Sequence, residues 1–270
     1  MPRMTLQDVF DTEHPVALVT GSGAARVGRV VAEELARSGC HVALHANRSR
    51  AEAEESADRF AERYAVRTIV TSGGLDREET SRRIVDETLD AFGRIDVLVN
   101  SAAIWEPLAL EQVTGDTLRR YFQVNAVAPF LCAQAAGLRM AEQPRGGSIV
   151  NLGDWATVRP YLDHAAYFPS KGSLEVMTRS LAVELASRNP RIRVNCVCPG
   201  PVLLAEGVSP QEREQLAAAT LVRRVGSPEA VAHAVRFLCE NDFVTGVCLP
   251  VDGGRSIFAA DGLQIGRNTG

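Results

Sequence analysis

Short, mostly apolar runs alternate with longer amphipathic segments along most of this chain. Six of the runs have the length of strands that are buried on both faces of a parallel sheet. They are residues 15–20, 41–45, 66–70, 95–99, 148–152 and 193–198. A closing strand is expected after Val244, and the segments between the runs have helical periodicity. The alternation predicts an α/β fold, a single doubly wound domain with a parallel sheet of about seven strands.

The domain is expected to span residues 15–257. A polar N-terminal lead-in, residues 1–14, is expected to be irregular, and a C-terminal tail, residues 258–270, is expected to be loose or bound to another subunit. Residues 201–222 combine apolar positions with a polar helical stretch, and we interpret them as a lid over the substrate.

Three helix features bear on the function. Asp76 is expected to cap the N-terminus of a helix that ends at Gly93. A long apolar helix is predicted over residues 118–140 and contains Asn125. Another helix is predicted to begin at Tyr167, since Pro169 fits a first turn, where no amide partner is lost.

Composition narrows the class of partner. The formal net charge is −4, so no basic surface for nucleic acid or membrane is expected. Hydrophobic residues make up 46% of the chain, which is ample for one core. No run of eighteen apolar residues predicts a membrane span, and the first residues lack the pattern of a signal peptide. We therefore expect a cytoplasmic protein that acts on a small molecule.

Six cysteines are scattered through the chain without zinc spacing, so no metal site is predicted. We interpret them as buried thiols in a reducing compartment. Strand alternation is expected to direct Cys196 and Cys198 to opposite faces of their strand.

Tyr167 and Lys171 are the first candidate for chemistry. They lie four positions apart and so share one helical face. An ammonium close to a phenol lowers its pKa and makes it a usable proton donor or acceptor. Asp154 stands thirteen positions before the tyrosine, at the end of a predicted strand, where open α/β sheets bind ligands.

A glycine-rich turn from Gly21 to Gly28 lies between the first strand and the first long helix. In this context glycines let the backbone approach a pyrophosphate, and the helix N-terminus attracts the negative charge. The second strand ends near Arg48 and Ser49, and no Asp or Glu occurs from Cys40 to Arg50. A guanidinium and a hydroxyl suit a 2′-phosphate, so NADPH is predicted in preference to NADH.

Together with Asn100-Ser-Ala-Ala103 and Pro199-Gly200, these motifs resemble the short-chain dehydrogenase/reductase family over residues 15–257. The resemblance implies a Rossmann domain in which Tyr167 is the catalytic acid/base. It implies that Lys171 assists the tyrosine and binds the nicotinamide ribose, and that Asn125 steadies this lysine through a water. It also implies a homo-oligomer, most often a tetramer.

The family usually has serine where this chain has Asp154. Aspartate at this place resembles the pteridine reductase branch, as do Arg26 and the His-x-x-Arg-Ser pattern that begins at His45. That branch implies a substrate site formed by Arg26, Trp105, Asp154 and Tyr167, in which the indole stacks on a flat pterin. Alternatively, Arg26 is a solvated loop charge and Trp105 a packing residue. The loop with Arg159, Pro160 and Tyr161 is a candidate pocket wall.

The resemblance implies that the cofactor is held by the residues that end the strands and begin the glycine turn's helix. They are Gly21, Arg26, Val27, Gly28, Asn47, Arg48, Ser49, Leu75, Asn100, Ala102, Tyr167, Lys171, Pro199 and Gly200. The chain departs from the family at Gly74, where an aspartate usually contacts adenine, and at Ala103, where glycine is usual.

Three functions remain open at this stage. The favoured one is NADPH-dependent reduction of a dihydropterin-type substrate with Tyr167 as proton donor. The second is reduction of a carbonyl in a 3-oxoacyl thioester, a sugar or a keto compound, which Asp154 disfavours. The third is a cofactor-binding protein without turnover, which the intact Tyr167 and Lys171 disfavour.

Overall fold

A seven-stranded parallel sheet organises the protein. The computed structural model describes residues 4–204 and 207–258, so residues 205 and 206 of the predicted lid and 259–270 of the predicted tail lie outside the described residues. The strands are β1 (Val16–Val19), β2 (His41–Ala46), β3 (Thr68–Ser72), β4 (Val97–Asn100), β5 (Gly147–Leu152), β6 (Ile192–Pro199) and β7 (Cys248–Val251). They are arranged in the order β3-β2-β1-β4-β5-β6-β7, which confirms the predicted fold class.

Nine α-helices are found in the described part of the chain. They are α1 (Leu6–Phe10), α2 (Val27–Arg37), α3 (Arg50–Tyr64), α4 (Glu78–Phe92), α5 (Gly115–Phe122), α6 (Ala128–Glu142), α7 (Tyr167–Ala186), α8 (Pro210–Ala218) and α9 (Pro228–Glu240). Side chains of α2, α3 and α9 pack with one face of the sheet, and those of α4, α6 and α7 pack with the other. None of these helices is long and apolar enough to cross a membrane.

Two layers of helices explain why the strand sequences are apolar throughout. All residues of β1, β4 and β5 are buried, because each strand is covered on both faces. The sheet reverses its winding between β1 and β4, where Ala17 pairs with Val97. Crevices at the carboxyl ends of such a pair are the usual ligand sites of open α/β sheets.

The prediction of an irregular lead-in is wrong for α1. Thr5 and Asp8 form a reciprocal capping box at its start, and Leu6 and Phe10 are buried in the core. The Arg94 guanidinium also donates to the Phe10 carbonyl over 3.2 Å. This short helix therefore packs as part of the domain.

Two further helix predictions need correction. Arg77, and not Asp76, occupies the N-cap position of α4, and it makes no side-chain cap. The helix predicted over residues 118–140 is interrupted by a π-helical turn, Gln123–Val127, between α5 and α6. Single π turns of this kind often occur at functional sites.

Most of the cysteines are buried, as predicted, but the predicted opposite orientation of Cys196 and Cys198 is wrong. All six thiols are unpaired, and five of them are buried. The sulfurs of Cys196 and Cys198 lie 3.9 Å apart, because residues two apart in a strand point to the same face. Cys248 lies opposite Cys196 on β7.

Candidate active site

Tyr167 and Asp154 meet at the carboxyl end of the sheet. Asp154 follows β5 and caps a short 3₁₀ turn, Trp155–Thr157, by accepting the Ala156 amide over 2.8 Å. Tyr167 is the first residue of α7, and its hydroxyl donates to the other carboxylate oxygen of Asp154 over 2.7 Å. The chain thus brings together a buried phenol and a carboxylate that are thirteen positions apart.

Lys171 lies one helical turn beyond the tyrosine, as predicted, but it makes a different contact. Its side chain is buried, and its Nζ donates to the Leu152 carbonyl over 2.6 Å. Burial lowers the pKa of this lysine, while the Asp154 carboxylate acts in the opposite direction. In this state the ammonium is therefore held by the end of β5.

The expectation that Lys171 lowers the pKa of Tyr167 is wrong for this structure. Burial raises the pKa of Tyr167 well above its usual value, and the charge of Asp154 together with its hydrogen bond raises it further. Tyr121 and Tyr161 act in the same direction. The tyrosine consequently keeps its proton at neutral pH, which suits a proton donor.

Aromatic side chains lie around Tyr167 and Asp154. Trp105 is 50% exposed, and its indole stacks on His164 with ring centroids 4.9 Å apart. The indole N–H donates to the Tyr161 hydroxyl over 3.2 Å. Tyr121 packs edge-on against Tyr167 at 6.4 Å. The structure thus confirms neither alternative for Trp105, since one face packs on His164 and half of the side chain remains exposed.

Asn125 lies in the π-helical turn and binds backbone groups. Its side chain accepts from the Ile104 amide over 2.9 Å and donates to the Ile104 carbonyl over 3.1 Å. It also donates to the Ser170 hydroxyl over 3.0 Å, and Ser170 neighbours Lys171 in α7. The asparagine therefore joins the loop that contains Trp105 to α7.

The glycine turn closes tightly against the end of β4. Gly21 has a φ of +65°, and a Cβ there would lie 2.7 Å from the Ala102 Cα. A Cβ on Gly28 would lie 2.6 Å from the Gly21 carbonyl oxygen. Val27 begins α2, and Arg26, the N-cap residue, makes no side-chain cap. These contacts leave the first amides of α2 available to an anion.

Two residues to which the sequence assigned no role in this turn, Thr20 and His45, hold it in place. The Thr20 hydroxyl accepts from the amides of Ser101 and Ala102 over 3.0 and 3.1 Å. His45 accepts the Gly21 amide at Nδ1 over 3.2 Å and donates from Nε2 to the Gly73 carbonyl over 2.9 Å. Burial lowers the pKa of His45, so its neutral form bridges β2, β3 and the turn.

The end of β2 presents an unpaired positive charge. Asn47 and Arg48 are exposed, and Arg48 forms no ion pair or hydrogen bond with the part of the chain that the structure describes. Arg50, by contrast, pairs with Glu54 over 2.8 Å. Ser49 lies against the turn, since a Cβ on Gly23 would be 2.6 Å from its hydroxyl oxygen.

The remaining predicted cofactor residues lie at other strand ends, partly in structural roles. The Asn100 amide is buried and donates to the Pro129 carbonyl and to Asn151. Leu75 packs in the core, so only its backbone is placed to meet a ligand. Pro199 ends β6, and a Cβ on Gly200 would lie 2.5 Å from the Asp252 Cα.

This arrangement fits a nicotinamide dinucleotide. The glycine turn is a cradle that added Cβ atoms would fill, the α2 N-terminus has no side-chain cap, and Arg48 stands at the end of β2. No cluster of three metal-ligating side chains occurs among the described residues.

Comparison with known proteins identifies the family of this chain. Residues 23–256 match the family model described as enoyl-(acyl carrier protein) reductase. The chain is 34% identical to an uncharacterized oxidoreductase of Methylorubrum extorquens, covering 90% of this chain and 98% of that protein. It is also 34% identical to pteridine reductase 1 of Leishmania tarentolae, covering 91% and 98%. The solved structure of acetoin dehydrogenase from Salmonella typhimurium is similar, with a TM-score of 0.82 and 28% identity over 92% of this chain and 98% of that one. Fold, site and relatives agree that the chain belongs to the short-chain dehydrogenase/reductase family of oxidoreductases, which use nicotinamide cofactors.

Proposed function

We propose that this protein is an NADPH-dependent reductase that acts on a dihydropterin-type substrate. The observation that carries the proposal is the 2.7 Å hydrogen bond from the Tyr167 hydroxyl to the Asp154 carboxylate. A carboxylate beside the proton donor suits a ring that offers nitrogen and amine N–H groups, because it accepts their hydrogen bonds. The similarity to pteridine reductase 1 supports the same substrate class.

The side chains have separate tasks in this mechanism. The bound cofactor would supply a hydride. A ring nitrogen first replaces Asp154 as the acceptor of the Tyr167 hydroxyl, and Tyr167 then delivers its proton to that nitrogen. Asp154 orients the ring through its N–H groups. Lys171, whose Nζ donates to the Leu152 carbonyl, is proposed to assist the tyrosine and to bind the nicotinamide ribose, as the family resemblance implies.

The proposed preference for NADPH over NADH rests on the residues at the end of β2. Arg48 is exposed and has no acidic partner among the described residues, and Ser49 adds a hydroxyl beside it. A 2′-phosphate dianion supplies the counter-charge that the arginine lacks. Arg26 at the N-cap of α2 is proposed to approach the pyrophosphate and the substrate mouth.

The test follows NADPH oxidation by absorbance with dihydrobiopterin and dihydrofolate, beside acetoin, diacetyl and an acetoacetyl thioester. Turnover of the pterins is expected with wild-type protein and is expected to be lost in Tyr167→Phe, whose fold and NADPH binding persist. Turnover of the carbonyl compounds alone would contradict the proposal.

Carbonyl reduction is the second candidate. The similarity to acetoin dehydrogenase favours it, because Tyr167 and Lys171 serve a carbonyl oxygen as well as a ring nitrogen. The family model bears the description of an enoyl reductase. Divergent enoyl reductases separate their tyrosine and lysine by more than four positions, and therefore they resemble this site less.

We also propose that the protein is a homo-oligomer, a tetramer by family resemblance. Apolar side chains on α5, α6 and α7 support this, because Leu118, Leu138 and Val183 are 38%, 48% and 73% exposed. Light scattering coupled to size-exclusion chromatography measures the assembly directly, and a monomer would contradict it.

A further inference from the structure

A cavity lies beside residues 155–161, which follow Asp154 in the chain. Its volume is about 290 Å³, and it is lined by Trp155, Tyr161, Phe258 and the guanidinium groups of Arg159 and Arg255. Trp155 directly follows Asp154 in the chain. Asp154 and Arg255 both influence the pKa of Tyr161, so this tyrosine stands within electrostatic range of the catalytic carboxylate and of the cavity's arginine.

The two arginines are held in place by contacts that leave most of their donors unused. Arg159 donates through Nη1 to the carbonyl groups of Arg255, over 2.9 Å, and of Phe258. The Arg255 guanidinium lies 4.7 Å above the Trp155 ring, and it makes one long contact of 3.5 Å with the Leu216 carbonyl. Each guanidinium carries five N–H donors, so several point elsewhere.

No acidic side chain within residues 4–204 and 207–258 forms an ion pair with either arginine. The charge of Asp252 acts on Arg255, but its carboxylate accepts the amides of Gly254 and Ser256 over 2.9 and 2.6 Å. Burial and the charge of Arg159 both lower the pKa of Arg255. Arg255 is partly buried and Arg159 is exposed, and an anion between their guanidinium groups would offset the repulsion of the two like charges.

We propose that this cavity, formed by Trp155, Arg159, Tyr161, Arg255 and Phe258, binds an anionic group on an arm of the substrate whose ring is reduced at Tyr167. The group is a carboxylate or a phosphate, since both match the fork of a guanidinium. The three aromatic rings pack against the apolar or aromatic part of the arm. The inference rests on the proposed function, and it narrows the substrate to pterins with a charged arm.

The test compares substrates that differ in the arm. Dihydrofolate ends in carboxylates, dihydroneopterin monophosphate ends in a phosphate, and dihydrobiopterin has a neutral side chain. Arg255→Met keeps an apolar chain over Trp155 and removes the charge, whereas Arg255→Lys retains the charge. Arg63→Ala removes an exposed arginine of α3 and serves as the matched control.

We expect Arg255→Met to raise the KM for the charged-arm substrates about tenfold or more, because a charge-assisted hydrogen bond is lost. The KM for dihydrobiopterin stays unchanged, Arg255→Lys restores part of the affinity, and Arg63→Ala has no effect. The carboxylate and phosphate substrates identify which anion the cavity prefers. We expect added salt to raise the KM of the wild-type protein for the charged-arm substrates only. This measurement tests the anion-binding cavity without a variant.

An equal change for charged and neutral substrates, or no change in either, would overturn the proposal while the pterin reductase function stands. Should no pterin be turned over, acetoacetate serves as the charged substrate and diacetyl as the neutral one. An effect of Arg255→Met on acetoacetate alone would then support the anion site although the proposed substrate class has failed. No effect on either compound would overturn the site as well.

Discussion

The hydrogen bond between Tyr167 and Asp154 determines how the site holds its proton. The carboxylate raises the pKa of the tyrosine in addition to burial, so the donor form extends to high pH. Asp154→Asn removes that charge while it keeps the size of the side chain. We expect the pKa of Tyr167 to fall, and the alkaline limb of the reduction rate to move to lower pH, since phenolate cannot donate.

The pH profile of kcat at saturating NADPH, for wild-type protein and the variant, measures this shift. The other ionisable groups near Tyr167, namely Tyr121, Tyr161, His164 and Lys171, remain in the variant, and loss of the Asp154 charge also lowers the pKa of Tyr161 and of Lys171. An alkaline limb that stays in place or moves upward would show that Asp154 does not control this proton.

Arg48 is expected to set the choice of cofactor. Arg48→Ala should raise the KM for NADPH about tenfold or more, because one charge-assisted contact to the 2′-phosphate is lost, and should leave the KM for NADH nearly unchanged. Arg50→Ala is the matched control, since Arg50 already pairs with Glu54. A parallel loss for both cofactors would indicate a structural effect instead.

The places of single site residues were predictable where a strand end or helical spacing determines them. The meeting of Asp154 with Tyr167 follows from one residue ending a strand and the other beginning the next helix. The contact of Lys171 with the Leu152 carbonyl does not follow from such sequence signals, because it depends on the separation of α7 from β5. Arg255 also escaped notice, since its place beside Arg159 results from packing between segments about a hundred positions apart.

At the scale of elements, the glycine turn is the most constrained part of the site. A Cβ on Gly28 would lie 2.6 Å from the Gly21 carbonyl oxygen and 2.7 Å from the Ser101 hydroxyl. Gly28→Ala therefore has to displace the turn or the end of β4. We expect weaker NADPH binding and a loss of about 1–3 kcal/mol in the free energy of unfolding.

Gly172→Ala in α7 is the control for that substitution, because a Cβ there meets no atom within 4 Å. A helical Gly→Ala change is expected to stabilise the fold by about 0.5–1 kcal/mol. Denaturant unfolding and NADPH titration of both variants compare them. Unchanged NADPH affinity in Gly28→Ala would contradict the role of this turn.

Element boundaries show where local sequence signals are insufficient. The buried strands were predicted because their apolar runs are too short to be helices. The short helix α1 was missed although Thr5 and Asp8 form a local capping box, because its 5 residues are too few to show a helical period. The N-cap of α4 was misplaced by one residue, since no sequence pattern distinguishes Asp76 from Arg77 as the helix boundary.

At the scale of the whole molecule, the predicted architecture was confirmed because alternating strands and helices permit few arrangements. The sheet order itself could not be read from apolar runs, since it depends on which strands pair across the sequence. The pairing of β1 with β4 is the decisive example. It brings the glycine turn next to Asn100-Ser-Ala-Ala103, and the two motifs then form one cradle.

That central pairing has a consequence for how the protein is made. The Val16 amide binds the Asp96 carboxylate across eighty positions, and β5 then adds to β4 from a still later part of the chain. Contacts so distant in sequence form late, because loop-closure entropy opposes them. A chain emerging from the ribosome would therefore gain helices long before it gains a cofactor site. In refolding experiments, we expect recovery of NADPH fluorescence enhancement to lag behind the far-ultraviolet helix signal, so that ligand capture marks the completion of folding.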